Sequence, residues 1–346
     1  MSTHFGLWYD FRNPAGDTNG TPPRSFSTLY REALDQMVWA ESLGIDSVWL
    51  TEHHFMADGY TPSPFVIAGA IGERTSRLRI GTNLIVSPLH NPIRLAEDAA
   101  TLSLLTGGRF DLGVGQGYWE PEFAAFGRSL RNRPSLLEEG VGIIRNCWSG
   151  SDEPFAGRRL SKPALPVTPT PESVPALLVG AMADPAIERA ARIGDGFLST
   201  QNAHHASYLA AVDKLGKPRS EARIYAGQWA IIADDPEREW ARIGKHALYQ
   251  INQYIEMGAF SPIPQFTDPA QLVEAGSYTL WDADTAVSEI SELLRATPEI
   301  VDVHFWAQLP GESVESGSAR VELLATEVIP RVRARLADPE PAEVLA

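Results

Sequence analysis

Short apolar runs alternate along this chain with longer segments in which apolar residues recur at helical spacing. The runs are rich in β-branched and aromatic residues, and glycine or polar residues follow them, which is typical of buried strands. The pattern predicts eight strands, at residues 4–9, 46–50, 78–82, 110–114, 174–179, 196–199, 223–232 and 300–306.

Caps and breakers predict helices between these strands. Ser25 suits the start of one helix and Gly44 its end, while Asp184 and Pro185 suit the start of another, with Asp184 as its N-cap. Eight strands alternating with helices favour an α/β fold, a closed (β/α)₈ TIM barrel with insertions, over an open sheet. We predict one barrel domain over residues 1–336 and a frayed tail over residues 337–346.

Four segments show neither the strand nor the helix pattern of apolar residues and are predicted to be irregular. They are residues 10–24, 115–134, 149–174 and 258–283. The last of them is punctuated by Gly258, Pro262, Pro264, Pro269 and Gly276. We expect residues 258–283 to form a mobile lid over the mouth of the barrel.

Composition narrows the class of protein. The chain has 346 residues, of which 44% are hydrophobic, and a formal net charge of -15, which argues against nucleic acid or an anionic membrane as a partner. Its single cysteine, Cys147, excludes an internal disulfide or a cysteine-based metal site. A strand predicted from His4 leaves no room for a signal peptide, and no apolar run is long enough to span a bilayer. We therefore expect a cytoplasmic protein.

The most informative polar residues are Glu52, His53 and His54, which follow the strand at residues 46–50. The carboxyl ends of barrel strands are where catalytic residues gather. Adjacent residues of an extended chain point in opposite directions, so only one of the two histidines is expected to line the mouth. Their spacing does not match a zinc-binding His-Glu-x-x-His helix, and the other histidines add no ligand pattern, so no metal site is predicted.

Two glycine-containing segments are candidates for cofactor contact. Residues 113–118 follow a strand but depart from the dinucleotide fingerprint, because the third glycine comes one residue early and Glu120-Pro121 interrupts any immediate helix. Residues 180–184 lead into a helix whose free N–H groups can hold a phosphate, although Asp184 alone would repel one. An aromatic-lined pocket is suggested by tryptophans near strand ends, namely Trp8, Trp49, Trp119 and Trp306.

Three blocks of sequence, residues 48–55, 80–83 and 107–118, together resemble bacterial luciferase-like flavin-dependent monooxygenases. Their order and spacing agree with that family over roughly residues 1–200. The resemblance implies a (β/α)₈ barrel that binds FMN, or a deazaflavin in some branches, at its C-terminal mouth.

The resemblance also assigns residues. His53 matches the luciferase active-site histidine, and the Asn83–Leu84 junction matches a non-prolyl cis peptide under the flavin ring. Gly115 stands where luciferase has a reactive cysteine, which implies that thiol chemistry is absent. Gln116 stands where luciferase has an arginine near the phosphate.

The phosphate loop of the family matches residues 180–184, with Gly180, Ala181 and Met182 as the binding residues, without the hydroxyls that luciferase has there. Together with Gln116, this departure weakens phosphate recognition and keeps a deazaflavin open as the cofactor. Tyr118 is a further candidate for contact with the ring or the substrate.

The sequence is therefore interpreted as a monooxygenase that uses reduced FMN and O₂ to oxygenate a small apolar or aromatic molecule. His53 would be general base or hydrogen-bond donor, and Glu52 would orient the loop. A separate flavin reductase and a homodimer are expected, with no nucleic acid or membrane partner. Two alternatives stay open: a deazaflavin-dependent dehydrogenase or reductase, and a non-catalytic flavin-binding partner subunit.

Overall fold

Eight parallel strands close into a barrel in the computed structural model, which describes residues 3–15, 24–260 and 262–337. Each strand pairs with the next along the chain, and the eighth pairs with the first, so no edge of this sheet is left open. The predicted TIM barrel is confirmed. Its strands are β1 His4–Tyr9, β2 Ser47–Leu50, β3 Arg79–Thr82, β4 Phe110–Gly115, β5 Leu177–Gly180, β6 Gly196–Ser199, β7 Ile224–Gln228 and β8 Ile300–Trp306.

Helices connect the strands and pack their apolar faces against the barrel. The Ser25 side chain accepts the N–H of Thr28 at the start of the first helix, and Gly44 ends that helix at a φ of 98°, as predicted. No helix in the described part of the chain combines the length and the apolarity that a bilayer crossing requires. The α-helices are Phe26–Leu43, Pro64–Arg74, Pro92–Leu105, Glu120–Ala125, Arg133–Trp148, Asp184–Ile193, His204–Lys214, Pro236–Met257, Pro269–Glu274, Ala283–Ala296, Val314–Leu323 and Ile329–Ala337.

The interior of the barrel is filled by large side chains and by buried polar side chains that hydrogen-bond to one another. The Trp49 ring lies against Gly81, where a Cβ would come within 2.2 Å of it. The Trp49 indole N–H donates to Asp302 at 3.0 Å, and Nδ1 of His304 lies 2.9 Å from the same carboxylate oxygen. These contacts fill the barrel below its mouth with a hydrogen-bonded core.

The predicted strand at residues 223–232 is wrong in one respect, because it is two strands. β7 ends at Gln228, and Ala230–Ile232 leaves the barrel to pair in parallel with Thr279–Trp281. Trp229 lies at the break, and its indole N–H donates to the carbonyl of Thr200 at 3.0 Å. A continuous apolar run cannot reveal such a change of partner, because both strands are buried.

Three segments predicted to be irregular contain short elements. Glu120–Ala125 is a helix with Pro121 in its first turn, so the proline does not interrupt it, and Phe155–Ala156 pairs with Ser161–Lys162 in a hairpin. Residues 258–283 contain the helix Pro269–Glu274, whose N-terminus is a capping box. These elements are too short for apolar periodicity to predict them.

The segment after residue 261 is also held to the long helix that precedes it. Asn252, on the helix Pro236–Met257, donates to the Phe266 carbonyl at 2.8 Å and accepts the Phe266 N–H at 2.9 Å. The prediction of an irregular segment is therefore wrong at Pro269–Glu274 and Thr279–Trp281, while the mobile lid over residues 258–283 stays a prediction. Residues 16–23 of the first predicted loop and 338–346 of the predicted tail lie outside the described residues.

Candidate active site

A cavity of about 300 Å³ opens at the carboxyl ends of the barrel strands. Ten residues that the sequence singled out for catalysis or cofactor binding lie on its wall. These residues are Glu52, His53, Asn83, Leu84, Gly115, Gln116, Tyr118, Gly180, Ala181 and Met182. The structure thus brings the predicted residues together, while their individual roles stay predictions.

Both ring nitrogens of His53 make hydrogen bonds. Its Nδ1 lies 2.9 Å from Oε1 of Glu122, and its Nε2 lies 2.7 Å from the hydroxyl of Tyr118. A carboxylate only accepts, so Nδ1 carries the proton in the neutral ring and Nε2 accepts the hydrogen bond of Tyr118. The Tyr60 ring packs edge-on against the imidazole, with centroids 4.8 Å apart. This arrangement fixes the tautomer and leaves the basic nitrogen on the Tyr118 side.

Glu122 was not predicted from the sequence, although it completes the surroundings of His53. Its side chain is fully buried, and Oε1 also accepts the backbone N–H of His54 at 2.7 Å. It comes from the short helix Glu120–Ala125. Proline in the first turn with acidic neighbours is a signal for a helix start, and that signal could have located it.

His54 points away from the cavity, in agreement with the expectation that only one histidine lines the mouth. Among the described residues on the cavity wall, His53 is present and His54 is not. The His54 ring packs edge-on against Phe126, with centroids 4.8 Å apart. On its other side it meets Glu52, whose Oε1 lies 3.4 Å from Nε2 of His54.

Glu52 ties this loop to the loop after β3, as its predicted orienting role requires. Its Oε2 accepts the backbone N–H of Val86 at 2.6 Å, and its Oε1 lies 2.8 Å from Nε2 of His90. Burial acts to raise the pKa of Glu52, but His90 and His54 outweigh it, and the pKa falls to about 2. Burial acts to lower the pKa of His90, and the Glu52 charge reverses this and raises it. Each residue of the pair thus favours the charged form of the other.

Asn83 and Leu84 form the floor of the cavity above the barrel core. The Asn83 amide lies 3.0 Å from Nε2 of His304, and the Trp8 indole N–H donates to the Asn83 carbonyl at 3.3 Å. Because Nδ1 of His304 donates to Asp302, its Nε2 accepts from the amide. The Asn83–Leu84 peptide bond is cis, as the resemblance implied.

Two glycines make room for the Leu84 side chain. A Cβ at Gly115 would lie 2.6 Å from Leu84, and one at Gly180 would lie 2.3 Å from it. Real Cβ atoms do not approach so closely, so both positions need glycine for Leu84 to keep its place. The departure from the luciferase cysteine at Gly115 therefore has a steric reason in this chain.

One part of the wall suits a phosphate. Residues 180–183 lead into the helix Asp184–Ile193, which no side chain caps, since its N-cap is Ala183 rather than the predicted Asp184. Arg133 also lines the cavity and was missed by the sequence reasoning. Its guanidinium can pair with a phosphate, which the neutral Gln116 side chain cannot do. The free N–H groups in the first turn of the helix Asp184–Ile193 can bind the same phosphate.

Another part of the cavity wall is aromatic rather than cationic. It is formed by Tyr60, Trp229, Tyr254 and Phe260. The hydroxyls of Tyr60 and Tyr254 are 2.8 Å apart. Behind them the buried guanidinium of Arg12 lies 5.0 Å from the Tyr60 ring centroid and pairs with Asp58. This part offers a small molecule flat apolar surfaces with a few hydroxyls.

The chain belongs to the luciferase-like monooxygenase family, whose profile matches residues 3–289. It is 32% identical over 177 residues to an F420-dependent glucose-6-phosphate dehydrogenase of Amycolatopsis mediterranei, covering 49% of this chain and 53% of that protein. It is 31% identical over 127 residues to the oxygenase component of a flavin-dependent trigonelline monooxygenase of Acinetobacter baylyi, covering 36% and 35%.

The chain thus spans about half or less of the length of these curated relatives. Among solved structures, the fold is similar to that of monooxygenase RslO1 from Streptomyces bottropensis, with a TM-score of 0.79. That likeness covers 94% of this chain and 99% of the other at 21% identity, so it supports the barrel alone. The family contains both flavin monooxygenases and F420-dependent oxidoreductases.

Proposed function

We propose that this protein is a monooxygenase that uses reduced FMN and O₂ to oxygenate a small apolar or aromatic substrate. The observation that carries the proposal is His53, held between Glu122 and Tyr118 at the wall of an aromatic cavity. Bound reduced FMN would supply the electrons and the activation of O₂.

The residues of the chain supply proton control and exclusion of water. Nε2 of His53 can take a proton through the Tyr118 hydroxyl, because Glu122 holds Nδ1 protonated and stabilises the imidazolium that results. Tyr60, Trp229 and Tyr254 shield this pair from water. Oxygenation requires that protection, since stray protons at the reaction centre would release peroxide instead of product.

The charges on the cavity wall favour FMN as the cofactor. Arg133 and the uncapped helix N-terminus after Ala183 suit one phosphate group. A deazaflavin with further acidic groups on its tail would need more cations than this wall has, in a chain of net charge -15. We infer that Arg133 takes over the role expected of an arginine at position 116, where this chain has glutamine.

The experiment that tests the proposal mixes the protein, loaded anaerobically with reduced FMN, with oxygenated buffer and follows the absorbance rapidly. We expect a transient band distinct from the spectra of reduced and oxidised FMN, with a longer lifetime when an aromatic substrate analogue is present. Direct reoxidation without such a band, together with tighter binding of a deazaflavin than of FMN, would replace the proposal.

The second candidate is a deazaflavin-dependent dehydrogenase that moves hydride without oxygen. The glucose-6-phosphate dehydrogenase relative favours it, being described as F420-dependent. Competition between FMN and a deazaflavin for the cavity separates the two candidates. The third reading, a non-catalytic partner subunit, requires a site that has lost its chemistry, and the buried His53–Glu122 pair argues against it.

A separate flavin reductase is part of the proposal. The trigonelline monooxygenase relative is described as an oxygenase component, and two-component operation of this chain would follow the same division. Turnover with NAD(P)H is then expected only when a reductase is added. The homodimer expected from the resemblance stays a prediction, which sedimentation at micromolar concentration would check.

A further inference from the structure

We propose that Glu52, His54 and His90 form a zinc site beside the cavity. Oε1 of Glu52 and one nitrogen of each histidine all lie within 4.8 Å of one another. Neighbouring histidines usually diverge, and the sequence predicted no metal site here. The fold brings the three together because His90 follows β3 while Glu52 and His54 follow β2, and these two strands are paired.

The distances suit a tetrahedral ion. With zinc bonds of about 2.0–2.1 Å, neighbouring ligand atoms stand about 3.3 Å apart. Oε1 of Glu52 lies 2.8 Å from Nε2 of His90 and 3.4 Å from Nε2 of His54. The third pair, formed by the two histidine nitrogens, lies within 4.8 Å, so the two rings would turn toward each other for one ion to bind all three donors.

The surroundings already hold each ligand in place. Oε2 of Glu52 is occupied by the Val86 N–H, which leaves Oε1 to face the two histidines. The backbone of His54 is fixed by Glu122, and its ring rests on Phe126. Such supporting contacts to ligands are what metal sites need for a defined geometry.

One of the three donor atoms, Nε2 of His54, is held only by a long contact. Nε2 of His54 is buried, and it makes no hydrogen bond with the described residues although Glu52 lies 3.4 Å away. Buried polar atoms normally make well-formed hydrogen bonds, so a nitrogen held only by this long contact is free to take a stronger partner. A divalent cation would satisfy it through the ring lone pair.

The donor set identifies the class of ion. Two imidazoles and one carboxylate suit zinc, and they leave one coordination position for water. The His54 and His90 side chains are 12% and 27% exposed, so a hydrated ion can reach them from outside the cavity. A bound ion would join the loops after β2 and β3 and stiffen the segment that carries His53. The site is independent of the proposed flavin chemistry.

Zinc binding is tested on the full chain without cofactor. Protein stripped with a chelator is dialysed against micromolar ZnSO₄, and the bound metal is counted by mass spectrometry. We expect one equivalent per chain and a melting temperature that rises with zinc concentration. With Co²⁺ as probe, we expect the intense visible absorption of a tetrahedral site.

Variants locate the bound ion. His54→Ala and His90→Ala should each reduce the affinity for Zn²⁺ at least tenfold. His204→Ala is the matched control, because residues 204 and 205 are the other His-His pair of the chain and belong to no such cluster among the described residues. It should bind as the unaltered chain does. If His90→Ala fails to fold, His90→Gln and the cobalt spectrum of the unaltered chain carry the test.

Two results would overturn the proposal. One is a stoichiometry near zero at micromolar zinc in the unaltered chain. The other is equal zinc binding by the His54→Ala, His90→Ala and His204→Ala proteins, which would assign the metal to scattered surface histidines.

Discussion

Nδ1 of His53 lies 2.9 Å from the buried carboxylate of Glu122, a residue 69 positions further along the chain. The same Glu122 oxygen accepts the N–H of His54. One carboxylate thus sets the tautomer of His53 and the path of the backbone that carries it. The orientation of the imidazole depends on a residue of the fourth βα loop as much as on its own strand.

Replacing Glu122 by Gln should lower turnover by roughly 10–100-fold, because the amide is neutral and no longer stabilises protonated His53. Flavin affinity should change little. The measurement is single-turnover oxygenation with reduced FMN, across a pH series. Glu120→Gln, on the same helix but exposed, is the control. Equal rates for the two variants would show that the Glu122 charge has no part in the reaction.

Alanine substitutions of the two adjacent histidines should lower turnover by different amounts. His53→Ala should reduce turnover by roughly 10²–10⁴-fold, the range typical of a lost acid–base group, while the fold and most flavin affinity remain. His54→Ala should cost less, because its ring points to Phe126 and Glu52 rather than into the cavity. Both are assayed in chelator so that metal does not contribute. The reverse order of effects would contradict the orientation seen here.

Arg133 should discriminate FMN from riboflavin. In the unaltered chain FMN should bind more tightly than riboflavin, and Arg133→Gln should remove most of that difference, since only FMN carries the phosphate. Titration of both flavins, followed by the quenching of their fluorescence, measures the difference in affinity. Arg131→Gln, an exposed arginine two residues earlier, should keep the preference. A preference that survives in Arg133→Gln would assign the phosphate to another part of the wall.

Asn252 should protect the segment after residue 261 from proteolytic cleavage. Its side chain makes both hydrogen bonds to Phe266, so Asn252→Ala should speed proteolytic cleavage within residues 262–268 several-fold. Mass spectrometry of the fragments reports the cleavage position. Glu256→Ala, exposed on the same helix, should be cleaved as slowly as the unaltered chain. Rapid cleavage of the unaltered chain itself would support the mobile lid expected from the sequence.

His205 should make stability depend on pH. Its buried position lowers the pKa of His205 from 6.5 to about 4, with a smaller contribution from His204. Between these values the unfolded chain binds a proton that the folded chain does not, so stability falls as pH falls from 6.5 toward 4, by at most about 1.4 kcal/mol per pH unit. Urea unfolding of the unaltered chain and of His205→Phe measures it. The variant should show a shallower decline over this range, and an unchanged decline would mean that His205 titrates normally.

The barrel was predictable because its strands are continuous buried runs, such as Ser47–Leu50, that alternate with helical segments, of which the first begins at Ser25 and ends at Gly44. The residues at strand ends were predictable for the same reason, since polar groups at the end of an apolar run have few other places to go. Glu52, His53 and Asn83 all reached the cavity wall in this way.

The residues that were missed come from elsewhere. Glu122 lies on a helix too short to show a period, and Tyr254 lies on a helix whose buried face also forms ordinary core. Arg133 begins a helix, where an arginine carries no sign of its target. His90 meets Glu52 only because two loops converge. Such long-range contacts depend on the closed barrel, which local patterns do not encode.

The small sheet outside the barrel has a consequence for how this chain can diversify. Ala230–Ile232 and Thr279–Trp281 tie both ends of the intervening stretch to each other, with Ile231 opposite Leu280. That stretch supplies Tyr254 and Phe260 to the cavity, while the barrel strands supply the histidine and the floor. We therefore expect this stretch to be exchangeable between relatives, with substrate preference following it and the residues around His53 left in place.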